Sequence, residues 1–469
     1  MNIKRICLLL AAVVAAGATG CRAASSETDV QDGAAQTSGT SQRASKAREE
    51  TPEKEGNVLQ IQCWDEQFRL LLENYYPGYE KVDENTGKIG DVTVKFTITP
   101  LDDNEYQSHL DSVLPENENA SEKDTVDIFL VEAEDAAKYT DADTGFAMRL
   151  SDLGITDDDL SEQYSYTKEV VTDANGDLRG ASWQAFSGGM IYNRKVALKA
   201  LGDDNPEKVQ EAVQDWEVFK QTADAVKAAG YHVTATVNDT YRVYAGNAEH
   251  SWVEDGKIAV DANVLQWAKD SRELIENEET TADELWSKTW LEGMSGRTPV
   301  FAYFGPSWLL NAILDNEDSP EETAEGTYGI VEGPQSFFWG GTWICAAQGT
   351  DNPTLVKDII LTMTADAAVM EKMAQKESEC VNNETVLSAL SRDASLDNAA
   401  LGGQNPYEIW NASAKKADAS SLSAYDSICS EAFRGAMESC FDGSRTYAEA
   451  LKMFKEEMAE SYPELTLDG

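Results

Sequence analysis

Apolar and polar positions divide the chain into three stretches. Residues 6–16 form an unbroken apolar run, residues 22–56 hold no aromatic and almost no large aliphatic side chain, and residues 57–469 alternate with regular periods. In this last stretch Val58–Trp64 predicts a strand. Glu66–Tyr75 follows with Phe68, Leu71, Leu72 and Tyr75 at helical spacing. Val92, Val94, Phe96 and Ile98 alternate strictly, which predicts a second strand. A helix is expected around Glu105–Val113, and the β-branched run Val126–Val131 predicts a third strand. The β-α-β-α-β order implies a mostly parallel sheet covered by helices.

Further along, Asp173-Ala-Asn175-Gly-Asp177 predicts a turn between strands. Val209, Val213, Trp216, Phe219, Ala223 and Val226 keep helical spacing, with Asp215 as an internal cap and Gly230 as a stop. Thr446 and Glu449 have capping-box spacing ahead of a terminal helix whose Tyr447, Leu451, Phe454 and Met458 form an apolar face. No repeat of solenoid period is present.

The N-terminus has the layout of a secretory signal: Lys4 and Arg5, the apolar run, then small residues up to Gly20. The run is shorter than the roughly 20 residues a membrane span needs. Ala18-Thr19-Gly20-Cys21 resembles the lipobox of bacterial lipoproteins, with Ala18 where Leu is usual. That resemblance implies cleavage of residues 1–20 and lipidation of Cys21; the alternative is an ordinary secretory signal with Cys21 incidental. Residues 21–56 then read as a flexible tether, too poor in apolar groups to offset the entropy of ordering.

Composition narrows the function. A net charge of −46 repels phosphate backbones and anionic surfaces, so no nucleic-acid partner is expected. Beyond Cys21, five cysteines remain at irregular spacing, which is not a disulfide framework and predicts buried free thiols. No Gly-x-Ser-x-Gly or His-Glu-x-x-His occurs, and the 3 histidines have no metal-ligand spacing. The Asp173–Asp177 turn matches a calcium loop only in part, with Leu178 in place of the expected Gly and Gln184 in place of the closing Glu. No catalytic residue, cofactor or metal is therefore assigned. A glycoside hydrolase would also pair aromatics with carboxylates, but no motif picks out such a pair.

In open α/β sheets ligands bind beyond the carboxyl ends of the strands. Those ends carry Trp64 and Asp65, then Asp102 and Asp103, then Glu132 and Asp135. Acidic residues there also suit the first turns of the following helices; Trp64 has no such second reason.

Five segments in order carry a family resemblance. They are Gly176–Arg194 ending in Ile191-Tyr192-Asn193-Arg194, Asp215-Trp216-x-x-Phe219, Phe304-Gly305-Pro306-Ser307-Trp308, Trp339-Gly340-Gly341-Thr342-Trp343-Ile344, and Asp442-Gly-Ser-Arg-Thr446. Together with the lipobox they resemble the extracellular solute-binding proteins of sugar ABC transporters, the maltose-binding-protein-like group. The resemblance implies an α/β, two-lobed periplasmic-binding-protein-like fold that closes on its ligand by hinge motion. It maps lobe I to 57–180 with 333–378 and lobe II to 181–332 with 379–469. It further implies a monomer anchored on the extracellular face of the membrane through Cys21. Its partners would be a mono- or oligosaccharide and ABC permease subunits.

A sugar offers C–H faces that stack on aromatic rings and hydroxyls that seek strong acceptors. On the segments that the resemblance places at the cleft, this chemistry selects Trp64, Asp65, Glu132, Asp135, Trp183, Gln184, Trp308, Trp339 and Thr342. Tyr241 and Arg242 join them from a segment read as a polar loop, where Arg242 has a second reading as a lobe-to-lobe salt bridge. Trp216, Trp267 and Trp343 are expected in the core, and Trp286 and Trp290 in the core or on a lobe surface. The same fold binding a polyamine or peptide, or feeding a membrane sensor, stays open; a polyamine would also suit carboxylates and aromatic faces.

Overall fold

In the computed structural model, residues 55–254, 256–294, 298–314, 326–463 and 465–467 are described. The signal segment 1–20, Cys21 and nearly all of the tether lie outside them. Glu55 and Gly56, read as the tether's last residues, are already tied down: Gly56 N donates to the Asp351 carbonyl and Glu55 Oε1 accepts from Thr354 N.

The strands, in chain order, are β1 (Val58–Cys63), β2 (Tyr79–Lys81), β3 (Thr86–Ile89), β4 (Val92–Ile98), β5 (Ile128–Glu132), β6 (Ala181–Ser182), β7 (Gly189–Asn193), β8 (Val253–Glu254), β9 (Lys257–Ile258), β10 (Ala302–Gly305), β11 (Tyr328–Val331), β12 (Thr342–Ala346) and β13 (Thr466–Leu467). The first sheet has the order β2-β3-β4-β1-β5-β12-β6. Its centre, β4-β1-β5, is parallel, as the alternation of strand and helix predicts. The flanks are antiparallel: β2, β3 and β4 follow one another through short turns, and β12 returns from the far half of the chain to pair with β5 and β6. Leu59, Ile61, Val94, Ile128 and Phe129 are fully buried in its core.

The second body holds the antiparallel sheet β10-β7-β11 and the small sheet β13-β9-β8. Asp215 accepts from Val218 N and starts a new helix, Trp216–Ala228, so the predicted helix is two: Pro206–Ala212 precedes it. The capping box at Thr446 and Glu449 forms as expected. Cys63, Cys345, Cys380, Cys429 and Cys440 are all buried free thiols. Ala181 and Ser182, assigned by sequence to lobe II, still pair with β12 of the first sheet.

Three chain segments cross side by side between the two bodies. Ala185 N donates to the Cys380 carbonyl and Asn382 N to that of Trp183, while Gly188 N donates to Phe337 and Trp339 N to Phe186. Each crossing segment contains a left-handed residue: Phe186 (φ 36°), Ser378 (φ 56°) and Gly340 (φ 73°). Left-handed backbone outside glycine is strained, and such strain gathers where chains move or bind.

One carboxyl is buried within this hinge. Glu379 Oε1 receives only long contacts, from Gln67 Nε2 at 3.4 Å and Gln184 Nε2 at 3.5 Å, and Oε2 has no partner. Burial, reinforced by Glu377 and partly offset by Gln184, pushes its pKa up to about 8. A group raised in the folded state stabilises fully below its unfolded value, about 4.3 for Glu, and that contribution is lost as pH rises through the folded value. Thermal unfolding of wild type and Glu379→Gln across this range should therefore show the wild type losing ground to the variant as pH rises toward 8. A pH-independent difference would mean that Glu379 does not titrate in the hinge.

Candidate functional site

At the carboxyl end of β5 the chain reaches Glu132 and turns into the helix Ala133–Thr140. Facing it is the helix Asn238–Ala245 of the second body. The sequence reading made that segment a loop because its first turn is polar. The structure buries those polar groups instead, with Asp239 accepting from Thr236 N and from Trp290 Nε1 at 2.7 Å. This positions Arg242, whose guanidinium hydrogen-bonds Glu134 of the opposite body and lies 4.6 Å over the Trp339 ring. The lobe-to-lobe reading of Arg242 thus describes its contacts in this structure.

Around this contact lies a cleft with about 790 Å³ of empty space, its solvent mouth included. Glu134, Tyr241, Arg242, Trp339 and Gly340 line it. Tyr241 is buried beside Ser430. Trp308 stands edge-on to Trp339 at 4.7 Å. Gly341, at φ 119°, lies under Trp343, where an added Cβ would come within 2.9 Å of the ring.

The electrostatics are uneven. Burial and the neighbouring charges of Glu134 and Asp135 raise Glu132 to about 8. Burial would also raise Glu134, but Arg242 and Arg434 outweigh it and hold that carboxylate below its ordinary range. Burial raises Asp65 to about 6, against the lowering effect of the Gln67 N–H. Arg242 and Glu134 thus form a charged pair, while Glu132 has no hydrogen-bonding or ion-pair partner among the described residues and lies beside Gly340. A ligand hydroxyl or amine would find a ready partner there.

Other predicted residues take different places. Trp183 is fully buried and stacks on Phe68 at 5.4 Å, so it is core and not cleft. Gln184 is buried in the hinge, where Oε1 accepts from Thr342 N; Thr342 is itself buried opposite Glu132 in the β5–β12 register. The side chains of all three are buried because the crossing strands are covered on both faces. Asp65 accepts from Gln67 N at the start of the following helix. Asp135 accepts from Gln107 Nε2 at 2.8 Å. Trp64 is half-buried and edge-on to Tyr106 at 5.5 Å. In the Asp173 turn the carboxylate accepts from Asn175 N and Asp177 N and pairs with Arg179 Nε at 2.6 Å, which uses the oxygens a calcium ion would need. No cluster of three or more His, Cys, Asp or Glu is placed to hold a metal among the described residues.

Sequence reasoning missed Trp252, Phe338 and the segment from Asp418 to Ser430 in the lining. Phe338 adjoins a chosen Trp and was findable. The 418–430 segment carried no signal, since only the folded chain brings it against the helix Asn238–Ala245.

A family model described as bacterial extracellular solute-binding protein matches residues 80–390. No curated protein sequence matches the chain. Solved structures match over nearly their whole length. A protein titled extracellular solute-binding protein family 1 has 16% identity and a TM-score of 0.69, covering 86% of this chain and 99% of that one. The ABC transporter associated binding protein from B. animalis subsp. lactis Bl-04, in complex with beta-1,6-galactobiose, has 14% identity and a TM-score of 0.63, covering 88% and 100%. The galacto-N-biose-/lacto-N-biose I-binding protein of the ABC transporter from Bifidobacterium longum, in complex with lacto-N-biose, has 12% identity and a TM-score of 0.63, covering 88% and 100%.

Proposed function

We propose, from the premise that the chain belongs to the family of bacterial extracellular solute-binding proteins, that it captures a carbohydrate outside the cell for an ABC importer. In this reading Cys21 carries the lipid anchor, residues 21–56 give reach from the membrane, and lobes near the predicted boundaries close on the ligand as a monomer. The observation that carries the carbohydrate reading is a cleft between the bodies lined by Trp339 and Glu134, with Trp308 edge-on behind Trp339 and the Glu132 carboxyl, without a hydrogen-bond or ion-pair partner among the described residues, beside Gly340. Indole faces suit sugar C–H surfaces, and a carboxyl that accepts or donates suits hydroxyls. The sugar complexes of the similarly folded binding proteins agree with this choice.

The Arg242 guanidinium, seated over Trp339 and against Glu134, favours a second reading. A site that holds its own cation between a ring and a carboxylate also suits a ligand amine, as in a polyamine.

Residues 55–469 should be screened by thermal shift against mono- and oligosaccharides, polyamines and peptides. A ligand that binds only the folded state raises the melting temperature by mass action. Stabilisation by one sugar class is the expected result. Stabilisation by polyamines alone, falling with salt, would transfer the site to the second reading. Turnover of an oligosaccharide would overturn both in favour of a hydrolase.

A further inference from the structure

One face of Trp339 is already taken. The Arg242 guanidinium lies over the ring, 4.6 Å from its centroid, and Trp308 meets the same indole edge-on at 4.7 Å. Trp339 is left only 9% exposed. A sugar unit stacks on an open ring face. While the guanidinium stays, that face is closed.

Arg242 is held from two directions. Its helix, Asn238–Ala245, is fixed beside the ring: Asn247, just past the helix, donates from Nδ2 to the Ser336 carbonyl at 2.9 Å, and Asp239 accepts from Trp290 Nε1. The second hold, Glu134, belongs to the opposite body, in the first turn of the helix Ala133–Thr140. Arg242 and Arg434 together keep Glu134 ionised. The pair is partly open to water, with side chains 22% and 42% exposed. Parting of the two bodies would separate Glu134 from Arg242 and leave the helix beside Trp339. A long, flexible side chain then clears the ring by rotation alone.

We propose that Arg242 is an internal competitor of the ligand: clamped by Glu134, its guanidinium occupies the face of Trp339 on which a sugar unit would stack, and binding requires its displacement. This rests on the carbohydrate reading. The ligand takes over both partners that Arg242 gives up, the ring face for its C–H surface and the Glu134 carboxylate for a hydroxyl. Apparent affinity is then reduced by the fraction of molecules in which Arg242 blocks the ring. Salt separates this role from direct ligand contact. A partly exposed ion pair is screened by salt, whereas the contacts of a neutral sugar are not.

The test is calorimetric titration of the purified protein with a panel of neutral mono-, di- and trisaccharides, at low salt and at about 0.5 M, where screening reaches down to contact distances. Wild type, Arg242→Ala and Arg242→Gln are compared, with melting temperatures confirming that each folds. Wild-type affinity for the sugars that bind should rise with salt. At low salt both variants should bind those sugars more tightly than wild type by roughly threefold or more, the scale of a ring–cation contact combined with a partly exposed ion pair. Their affinity should no longer depend on salt. Weaker or unchanged binding in the variants would make Arg242 a ligand contact or a bystander, overturning the proposal and leaving the carbohydrate reading standing. Binding of no sugar by wild type or by either variant would overturn both.

Discussion

Trp183→Ala is expected to destabilise the protein by about 3–5 kcal/mol, the range for removing a buried Trp from a packed core. Trp183 is fully buried, stacks on Phe68 of the helix after β1, and lies in a crossing segment whose carbonyl accepts from Asn382 N. The cavity therefore opens where the first sheet meets the hinge. The sequence reading made Trp183 a ligand contact, for which loss of affinity in a stable protein would be the signature. The structure reverses this. Chemical denaturation should show the loss, and Trp183→Phe, which keeps a ring against Phe68, should recover much of the stability with ligand affinity intact. A stable Trp183→Ala protein that has lost ligand binding would overturn the core assignment.

Trp339→Ala is expected to lose ligand affinity as well as some stability. Trp339 lines the cleft, is touched edge-on by Trp308 and carries the Arg242 guanidinium on its ring. Burying one large apolar side chain is worth about 1.5–3 kcal/mol, which converts to roughly 10- to 100-fold in affinity. Removing the ring also takes away the surface that orients Arg242 toward Glu134. Calorimetric titration with the ligand from the thermal-shift screen should show that loss, accompanied by a lower melting temperature in the absence of ligand because Trp339 is itself largely buried. Unchanged affinity would place the ligand away from Trp339 and would remove the main support for the cleft as described.

These two indoles show how far local sequence reaches. Both sit beside crossing segments, both are large aromatics near polar residues, and the sequence reading gave them one role. Their difference lies in which face of a three-segment hinge each occupies. That depends on residues 378–383 arriving from a distant part of the chain to cover Trp183, while Trp339 stays against the cleft. Arg242 makes the same point: its segment was read as a polar loop and is a helix, because Asp239 is buried by Trp290 and not by any periodic local pattern.

The sequence by itself determined the elements whose cause is local. The alternation in Val92–Ile98 specifies β4 to the residue, and the spacing of Glu105–Val113 specifies its helix. Thr446 and Glu449 close their capping box within one turn. It also located Glu132 at the carboxyl end of β5, since a strand rich in β-branched residues that turns acidic marks its own end. The tertiary structure alone decided which polar residues were needed for the fold. Asp65 is engaged by Gln67 N and Asp173 by Arg179, Gln184 and Thr342 are engaged in the hinge, while the Glu132 carboxyl is left without a hydrogen-bond or ion-pair partner among the described residues. The physical reason is that a carboxylate's availability depends on every donor that reaches it. Those donors come from segments far apart in sequence, and only the folded chain brings them together.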